Sequence, residues 1–515
     1  MIQTMKTQTK NLQPLTTRHL EVLNPGWWST ENITLFNQPF TLDKYPFMVE
    51  LYNMAHHPDI VVKKAAQLAF TTYGINTTLW FIKNPLLIGN AIYIFPTEGQ
   101  VYDFTNARLN PIIEDSPAFS NSDQAKVDNM GLKRFGNGKV IYFRGAKSDT
   151  KLVEMPANWQ VLDEVDKYDN PDIVSLVKER ASGFSQKYFK YLSNPTFPDI
   201  GIDALYNDST MAEYYLKCDA CGKEQSLHWD KNIDINDPER GVFCKYCGAP
   251  MDRLARGRWI HHKKLKRLGY TLNQLYSPTV TPQEMIEAFK RCRGEYDMQV
   301  FYNMKLGLAY TPKGGKLTDD DLNKATQKDR ERGEYSGTLF GGVDVGSFLD
   351  WVIIDKDGKV IDWGRAKDPA EVIRKFKEYG VFSFVIDALP ETRMSIEICT
   401  ALPARGSICY FTEKDNEQES DDGEYNILNR NRSLWIDRAF HSIRIAEITF
   451  PREIIQDTHF REHMKNLIRV VKEAKDDKDK TITFVRNGKP DHLMLALVYA
   501  FIAKERFTDV GVDWV

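Results

Sequence analysis

Cysteine is scarce, at seven residues in 515. That excludes a disulfide-built scaffold and suits a reducing compartment. An excess of one charge is also missing. The 68 basic and 71 acidic side chains leave a formal net charge of −3, so the chain as a whole is not a polycationic coat. Contact with a polyanion would need a local basic surface instead. Long apolar runs are absent: Leu493 to Ile502, the most apolar late stretch, is about half the length of a membrane span. The opening MIQTMKTQTKNLQPLTTRHL has no apolar core of the kind a signal peptide needs. A soluble, intracellular protein without membrane association is expected. There is no internal repeat and no extended low-complexity segment.

What is present is ordinary globular material, 42% hydrophobic and 27% charged, enough for roughly two to four domains. Residues 1–50 read as an arm or cap, with aromatic clusters at Trp27, Trp28 and Phe36. Residues 51–310 read as an α/β unit. VVKKAAQLAFTT, AIYIFPTEGQ, VIYFRGA, WQVLDEVD and YFKYLSNPT each contain a short apolar run ending in polar residues, and Gln100 to Leu109 and Ile173 to Ala181 are helical between them. Open α/β sheets place ligands at such strand ends. Residues 211–260 look like an insertion, and the polar stretch 311–337 looks like a linker. A second α/β unit is expected over 338–515.

Four cysteines fall in two C-x-x-C pairs, Cys218 with Cys221 and Cys244 with Cys247, and glycines follow each pair at Gly222 and Gly248. Four thiolates at this spacing fit a tetrahedral structural Zn²⁺ of the zinc-ribbon type. No position is left open for catalysis. The alternative is four free thiols.

The apolar run Val161-Leu162 ends in Asp163-Glu164. A strand running into such a pair fits nucleotide hydrolysis, with Asp163 holding Mg²⁺-bound water and Glu164 activating the attacking water. The usual phosphate loop, G-x-x-x-x-G-K-[ST], is absent. Its nearest equivalent is KAAQLAFTT, Lys64 to Thr72, whose small residues would let backbone N–H groups approach phosphate oxygens. Lys64, Gln67, Thr71 and Thr72 are its candidate ATP and Mg²⁺ ligands. A surface lysine ahead of a buried helix is the plainer alternative. Ser193, Asn194 and Thr196 end another apolar strand and are placed to sense a γ-phosphate, or form a simple turn. Arg108 is a candidate arginine finger.

In the second unit, the run Thr338 to Asp355 reads as a hairpin carrying Asp344 inward, Val381 to Ala388 as a strand ending in Asp387, and Pro490-Asp491 as the start of an almost wholly apolar helix. Acids at strand and helix ends can converge where cations cancel their repulsion, and a pair of Mg²⁺ or Mn²⁺ ions about 4 Å apart would cleave a phosphodiester. Three unrelated acids are the alternative. Arg256, Arg258, Lys263, Lys264, Lys266 and Arg267 form a basic run suited to phosphate contact or to solvent. The mixed segment Lys472 to Lys480 reads as a solvated loop.

In this order the motifs VVKKAAQLAFTT, IYIFPTEGQ…ARLNPIIEDSP, WQVLDEVDKYDNPD, YLSNPT, CDAC…CKYC, FYNMKLG, GGVDVG, VIDALPETR and KPDHLMLALVYAF resemble the large terminase subunit of tailed bacteriophages, in its lambda-type branch. The resemblance covers nearly the whole chain. It implies a P-loop ATPase-like parallel sheet domain with a zinc-ribbon insertion, followed by an RNase H-like nuclease domain. It implies ATP-driven movement of double-stranded DNA into a procapsid and metal-dependent endonuclease cutting of concatemers. On it, Lys64 matches the lysine opening a variant phosphate loop, Thr71 the hydroxyl closing it, and Asp163 with Glu164 the acidic motif. Ser193 to Thr196 match the coupling segment, and Asp344, Asp387 and Asp491 the metal-binding nuclease triad. Portal protein, small terminase subunit, a homo-oligomeric ring and the host cytoplasm follow as partners and place. Two departures stand out: Ala69 where glycine is usual, and Phe70 where lysine occurs. The other readings are a host helicase-nuclease, whose extra motifs are missing, and a zinc-stabilised DNA-binding or capsid assembly protein without activity.

Overall fold

Apolar runs that end in polar residues are strands here, and most lie side by side in two sheets. The computed structural model describes residues 23–119, 127–147, 155–168, 170, 172–293, 295–402, 405–413, 417–421, 423–473, 480–486 and 488–508. They divide into two compact units between Tyr310 and Thr311.

In the first unit seven strands run parallel: β1 (Asp59–Lys64), β2 (Ala91–Phe95), β3 (Val140–Gly145), β4 (Trp159–Asp163), β5 (Tyr188–Ser193), β6 (Ala212–Lys217) and β7 (Leu268–Leu272). Their spatial order is β6-β7-β1-β5-β4-β2-β3. Antiparallel strands extend both edges, Glu224–Ser226 and Arg258–His261 beside β6 and Leu132–Arg134 beside β3. Every residue of β2 and β4 is buried, as a parallel sheet covered on both faces requires. The helix α1 (Phe70–Lys83) follows β1 and buries most of its length. Trp28, Ile33, Phe47 and Met48 join the same core, so the described part of the expected arm packs onto this unit. Its remainder, 1–22, lies outside the described residues. The helical run after β2 is α2 (Glu98–Phe104) passing into a π-helical turn, Thr105–Leu109.

In the second unit the order is β10-β9-β8-β11-β12-β13, for β8 (Leu339–Val345), β9 (Leu349–Asp355), β10 (Val360–Ala366), β11 (Ser383–Asp387), β12 (Arg405–Thr412) and β13 (Asn426–Asn431). The first three are antiparallel, and β11 to β13 run parallel to β8. The apolar helix α3 (His492–Thr508) lies against β8. Gly342 permits this: a Cβ there would stand 2.0 Å from the Ala496 carbonyl oxygen. Among the described residues no helix is long and apolar enough to cross a membrane.

The polar stretch 311–337 is not a bare connection. It carries a helix, Asp319–Lys324, started by a capping box between Thr318 and Asp321. Leu317 and Leu322 are fully buried in the second unit's core, and Thr326–Gln327 pairs with Phe450–Pro451. Leu317, Leu322 and Ala325 anchor a segment that is otherwise largely polar, and composition alone does not reveal them. The segment Lys472 to Lys480 joins two antiparallel strands, Leu467–Glu473 and Lys480–Arg486. Residues 474–479 between them lie outside the described residues.

Candidate functional site

In the first unit β1 ends at Lys64, and a five-residue turn leads into α1. Gln67 and Ala69 both take positive φ, 58° and 61°, a conformation side-chain-bearing residues rarely adopt. Ala69 immediately precedes the helix and has no side-chain cap to offer, so the first-turn N–H groups need an outside acceptor. The turn is pinned from its flanks: Ala65 N–H donates to Leu272 O at 2.8 Å, Ala66 N–H to Met304 O at 2.8 Å, and Gln274 Nε2 to Ala66 O at 2.9 Å.

Asp163, at the end of β4, is almost completely buried. Its Oδ2 accepts from Thr71 Oγ1 at 3.0 Å and from Tyr93 OH at 2.9 Å. Among the described residues its Oδ1 has no hydrogen-bond donor. Burial raises its carboxyl above the usual range, and the nearby Lys64 ammonium opposes that rise. Thr71 therefore bonds to Asp163, and the Lys64 charge acts on it. Glu164 follows at φ 57°, and its carboxylate pairs with Lys167 Nζ at 2.9 Å. Thr72 lies one residue beyond Thr71 in the first turn of α1. Arg108 is exposed on the π-helical turn and close enough for its charge to act on the Tyr93 hydroxyl. Asn194 Nδ2 donates to Lys64 O at 2.9 Å, and the Ser193 hydroxyl to Asn194 O at 2.9 Å. Thr196 faces Asp166, which the sequence reading passed over.

The four cysteines gather as expected. Their sulfurs lie within 4.8 Å of one another, and the Cys218–Cys247 and Cys221–Cys244 pairs are each 3.8 Å apart. That is the edge of a tetrahedron with metal–sulfur bonds of about 2.3 Å, and far too long for a disulfide. The two turns repeat one another: Gly222 N–H donates to Cys218 O, and Gly248 N–H to Cys244 O, both at 2.8 Å. Gln225 Nε2 and Tyr246 N–H point at Cys244 Sγ, where a thiolate would accept them. The cluster is compatible with zinc.

In the second unit Asp344 sits near the end of β8 and Asp387 ends β11. The parallel register pairs Val343 with Ile386, which makes the two acids neighbours. Asp491 precedes α3. Burial first, then the Asp344 charge, pushes the Asp387 carboxyl up to about 7. Asp344 is raised by its own burial and by Asp491, against a hydrogen bond from His492. Asp491 is almost fully buried; its Oδ2 accepts from Arg486 Nε at 3.1 Å, while its Oδ1 has no donor among the described residues. The three acids share one neighbourhood but do not close as tightly as the cysteines do.

A second close group, Asp350, His459 and His463, has its ligand atoms within 4.8 Å. These atoms are largely engaged. Both Asp350 oxygens accept from Arg365, at 2.9 and 3.1 Å, and His463 Nδ1 accepts the Leu493 N–H at 3.1 Å. His463 thereby holds the start of α3.

The basic run divides. Arg267 is held by Asp59 and Asp208, Arg258 by Glu224, and Lys263 by Asn207 O. Arg256, Lys264 and Lys266 are exposed.

Two family models match the chain: the phage terminase large subunit gpA ATPase domain over residues 36–262, and the terminase large subunit gpA endonuclease domain over residues 267–368. The chain belongs to the phage terminase large subunit family. This terminase therefore packages DNA with an ATPase and cuts it with an endonuclease, in the gpA-type branch. The endonuclease match begins at β7, inside the first unit, whose packing extends to Tyr310. The crystal structure of the HK97 bacteriophage large terminase is similar at a TM-score of 0.53 and 11% identity, covering 92% of this chain and 97% of that one. It supports the two-part α/β fold. The large terminase of a thermophilic bacteriophage is more distant, with a TM-score of 0.33 and 9% identity over 90% of this chain and 98% of that one. No curated protein matches the sequence.

Sequence reading missed three residues around these sites. His492 follows Asp491 directly, and a lone histidine at a helix start carries no signal. Tyr93 lies inside an apolar strand. Asp166 follows the acidic pair by two positions, in the polar residues that close an apolar run.

Proposed function

We propose that the ATP site of this terminase is the pocket around Asp163. Lys64 and the first-turn N–H groups of α1 would hold the phosphates, with Gln67 shaping the turn. Thr71 and Asp163 would hold Mg²⁺, with Thr72 beside them. Glu164 would take the proton of the attacking water, and Arg108 would face the γ-phosphate. Ser193, Asn194 and Thr196 would couple hydrolysis to motion. The observation that carries this reading is Asp163 itself, whose one oxygen meets Thr71 while the other is buried without a donor. A buried carboxylate oxygen left so is costly unless a cation completes it.

The nuclease centre is proposed at Asp344, Asp387 and Asp491, with the unpartnered Asp491 Oδ1 as one ligand atom. Bound Mg²⁺ or Mn²⁺ would supply an activated water and neutralise the leaving oxygen. The three acids hold and space the ions, and His492 orients Asp344. Zn²⁺ at the four cysteines would supply folding energy to the insertion alone. Arg256, Lys264 and Lys266 would meet DNA phosphates. We place the domains at 51–310 for the motor, with the cysteine insertion at 211–260, and at 311–515 for the nuclease. Double-stranded DNA, a portal protein, a small subunit and a ring of like chains are the proposed partners, in the host cytoplasm at the procapsid.

Separation of the two activities tests the assignment. Glu164→Gln should abolish DNA-stimulated ATP hydrolysis and leave plasmid cleavage largely intact, and Asp344→Ala should do the reverse. Equal loss of both activities in folded protein would overturn it.

A further inference from the structure

Asp166 stands two residues beyond Glu164, and its carboxylate reaches across to the segment after β5. Its Oδ2 accepts from both Thr196 N–H, at 2.8 Å, and Thr196 Oγ1, at 2.9 Å. Its Oδ1 accepts from Ile202 N–H at 2.7 Å, and its own N–H donates to Ser193 Oγ at 3.3 Å. Gly201 makes room: a Cβ there would stand 2.3 Å from Asp166 Oδ1. Three donors converging on one carboxylate form a stronger and stiffer tie than a neutral turn could.

The tie has a place in a larger circuit. Glu164 N–H donates to Leu192 O at 2.6 Å, so the acidic turn leans on β5 just before Ser193. Asn194 holds Lys64 O at the start of the phosphate turn. The helix Gly201–Asn207, whose first turn is held by Asp166, carries Asp203, and Asp203 pairs at 2.9 Å with Lys63, the neighbour of Lys64. Thr196 O accepts the N–H of Tyr310, the last residue of this unit, at 3.1 Å. Glu164 meets β5 through its backbone, and Asp166 is the side chain by which the acidic turn holds Thr196 and the start of the following helix.

We infer that Asp166 is a positioning residue of the motor: it clamps the turn carrying Glu164 to Thr196, so that a change at the hydrolysis site displaces the coupling segment. The inference rests on the motor assignment proposed above. Asp166 touches no reacting atom. Its removal should leave nucleotide affinity alone and uncouple turnover from DNA. A polar turn with a merely local role would not produce that split.

The test uses the full chain and linear double-stranded DNA. Asp166→Asn puts an amide N–H against one of the donors that the carboxylate now accepts. It should lower the DNA-stimulated kcat for ATP about tenfold or more, while KM for ATP stays within about twofold. Thr196→Val removes the hydroxyl donor alone and should lower the same rate by a smaller factor, and Thr196→Ser should restore it. The double variant Asp166→Asn with Thr196→Val should be no slower than Asp166→Asn. Folded Asp166→Asn with wild-type stimulation by DNA would overturn the inference. If Asp166→Asn does not fold, equal rates for Thr196→Val and Thr196→Ser would overturn it instead. Failure of the motor assignment is told apart by Lys64→Ala: if that variant hydrolyses ATP as wild type does, the pocket is wrong and not merely the clamp.

Discussion

His492 Nδ1 stands 2.8 Å from Asp344 Oδ2. The contact joins the first residue of α3 to the end of β8, and so ties two of the three acids of the proposed nuclease centre to one another through adjacent residues. The hydrogen bond holds the imidazole above its ordinary pKa and fixes which way Asp344 faces. Partners that orient metal-binding carboxylates commonly affect activity by tenfold to a hundredfold. His492→Ala is expected to slow Mn²⁺-dependent plasmid cleavage by about that factor, with ATP hydrolysis unchanged. Cleavage at the wild-type rate would remove His492 from the site.

The Asp387 carboxyl, raised to about 7 from an ordinary 3.8, should make metal binding at the proposed nuclease centre depend on pH. The metal-free folded chain keeps a proton there that the unfolded chain has already lost. This carboxyl's contribution to stability is therefore full below 3.8 and fades as pH climbs through about 7. A cation must displace that proton. Mn²⁺ affinity should rise about tenfold per pH unit below the Asp387 value and then level off. Thermal-shift titrations with Mn²⁺ on either side of neutrality check this, and an affinity independent of pH would count against it.

Ala69 holds a glycine's conformation. Left-handed backbone costs a side-chain-bearing residue about 1–2 kcal/mol, and the extra freedom a glycine gives the unfolded chain costs about 0.4–1 kcal/mol. Ala69→Gly should therefore gain between about 0 and 1.6 kcal/mol of stability, read as a later urea midpoint, and lower KM for ATP. Destabilisation would mean that the turn relaxes in another way.

The cysteine cluster should hold about one Zn²⁺ per chain in reduced, freshly purified protein. Cys244→Ser should lose the metal and loosen residues 211–260 to proteolysis, while Cys292→Ser, away from the cluster, should do neither. Metal-free wild-type protein with a protected insertion would refute the site.

The placement of acids at strand ends was legible because they interrupt apolar runs: Asp163, Asp344 and Asp387 each end or nearly end a buried strand. The gathering of the four cysteines was legible from their spacing alone. Ion pairs between distant segments were not. Nothing near Arg267 in sequence announces Asp59 or Asp208, so a basic run looked more available to phosphates than it is. Asp166 and His492 were hidden for the same reason, since their partners Thr196 and Asp344 lie 30 and 148 positions away. Periodicity reports which face is buried, and it carries no information about which polar groups meet across the fold.

The burial of Leu317 and Leu322 bears on how the C-terminal half can be produced by itself. Cloning from residue 338, where the apolar strands begin, would discard both leucines and the short strand beside Phe450, leaving a greasy patch on the surface. Such a fragment should aggregate on expression. One begun at Thr311 should stay in solution, and limited digestion of the whole chain should nick it ahead of Leu317 and spare the twenty residues that follow.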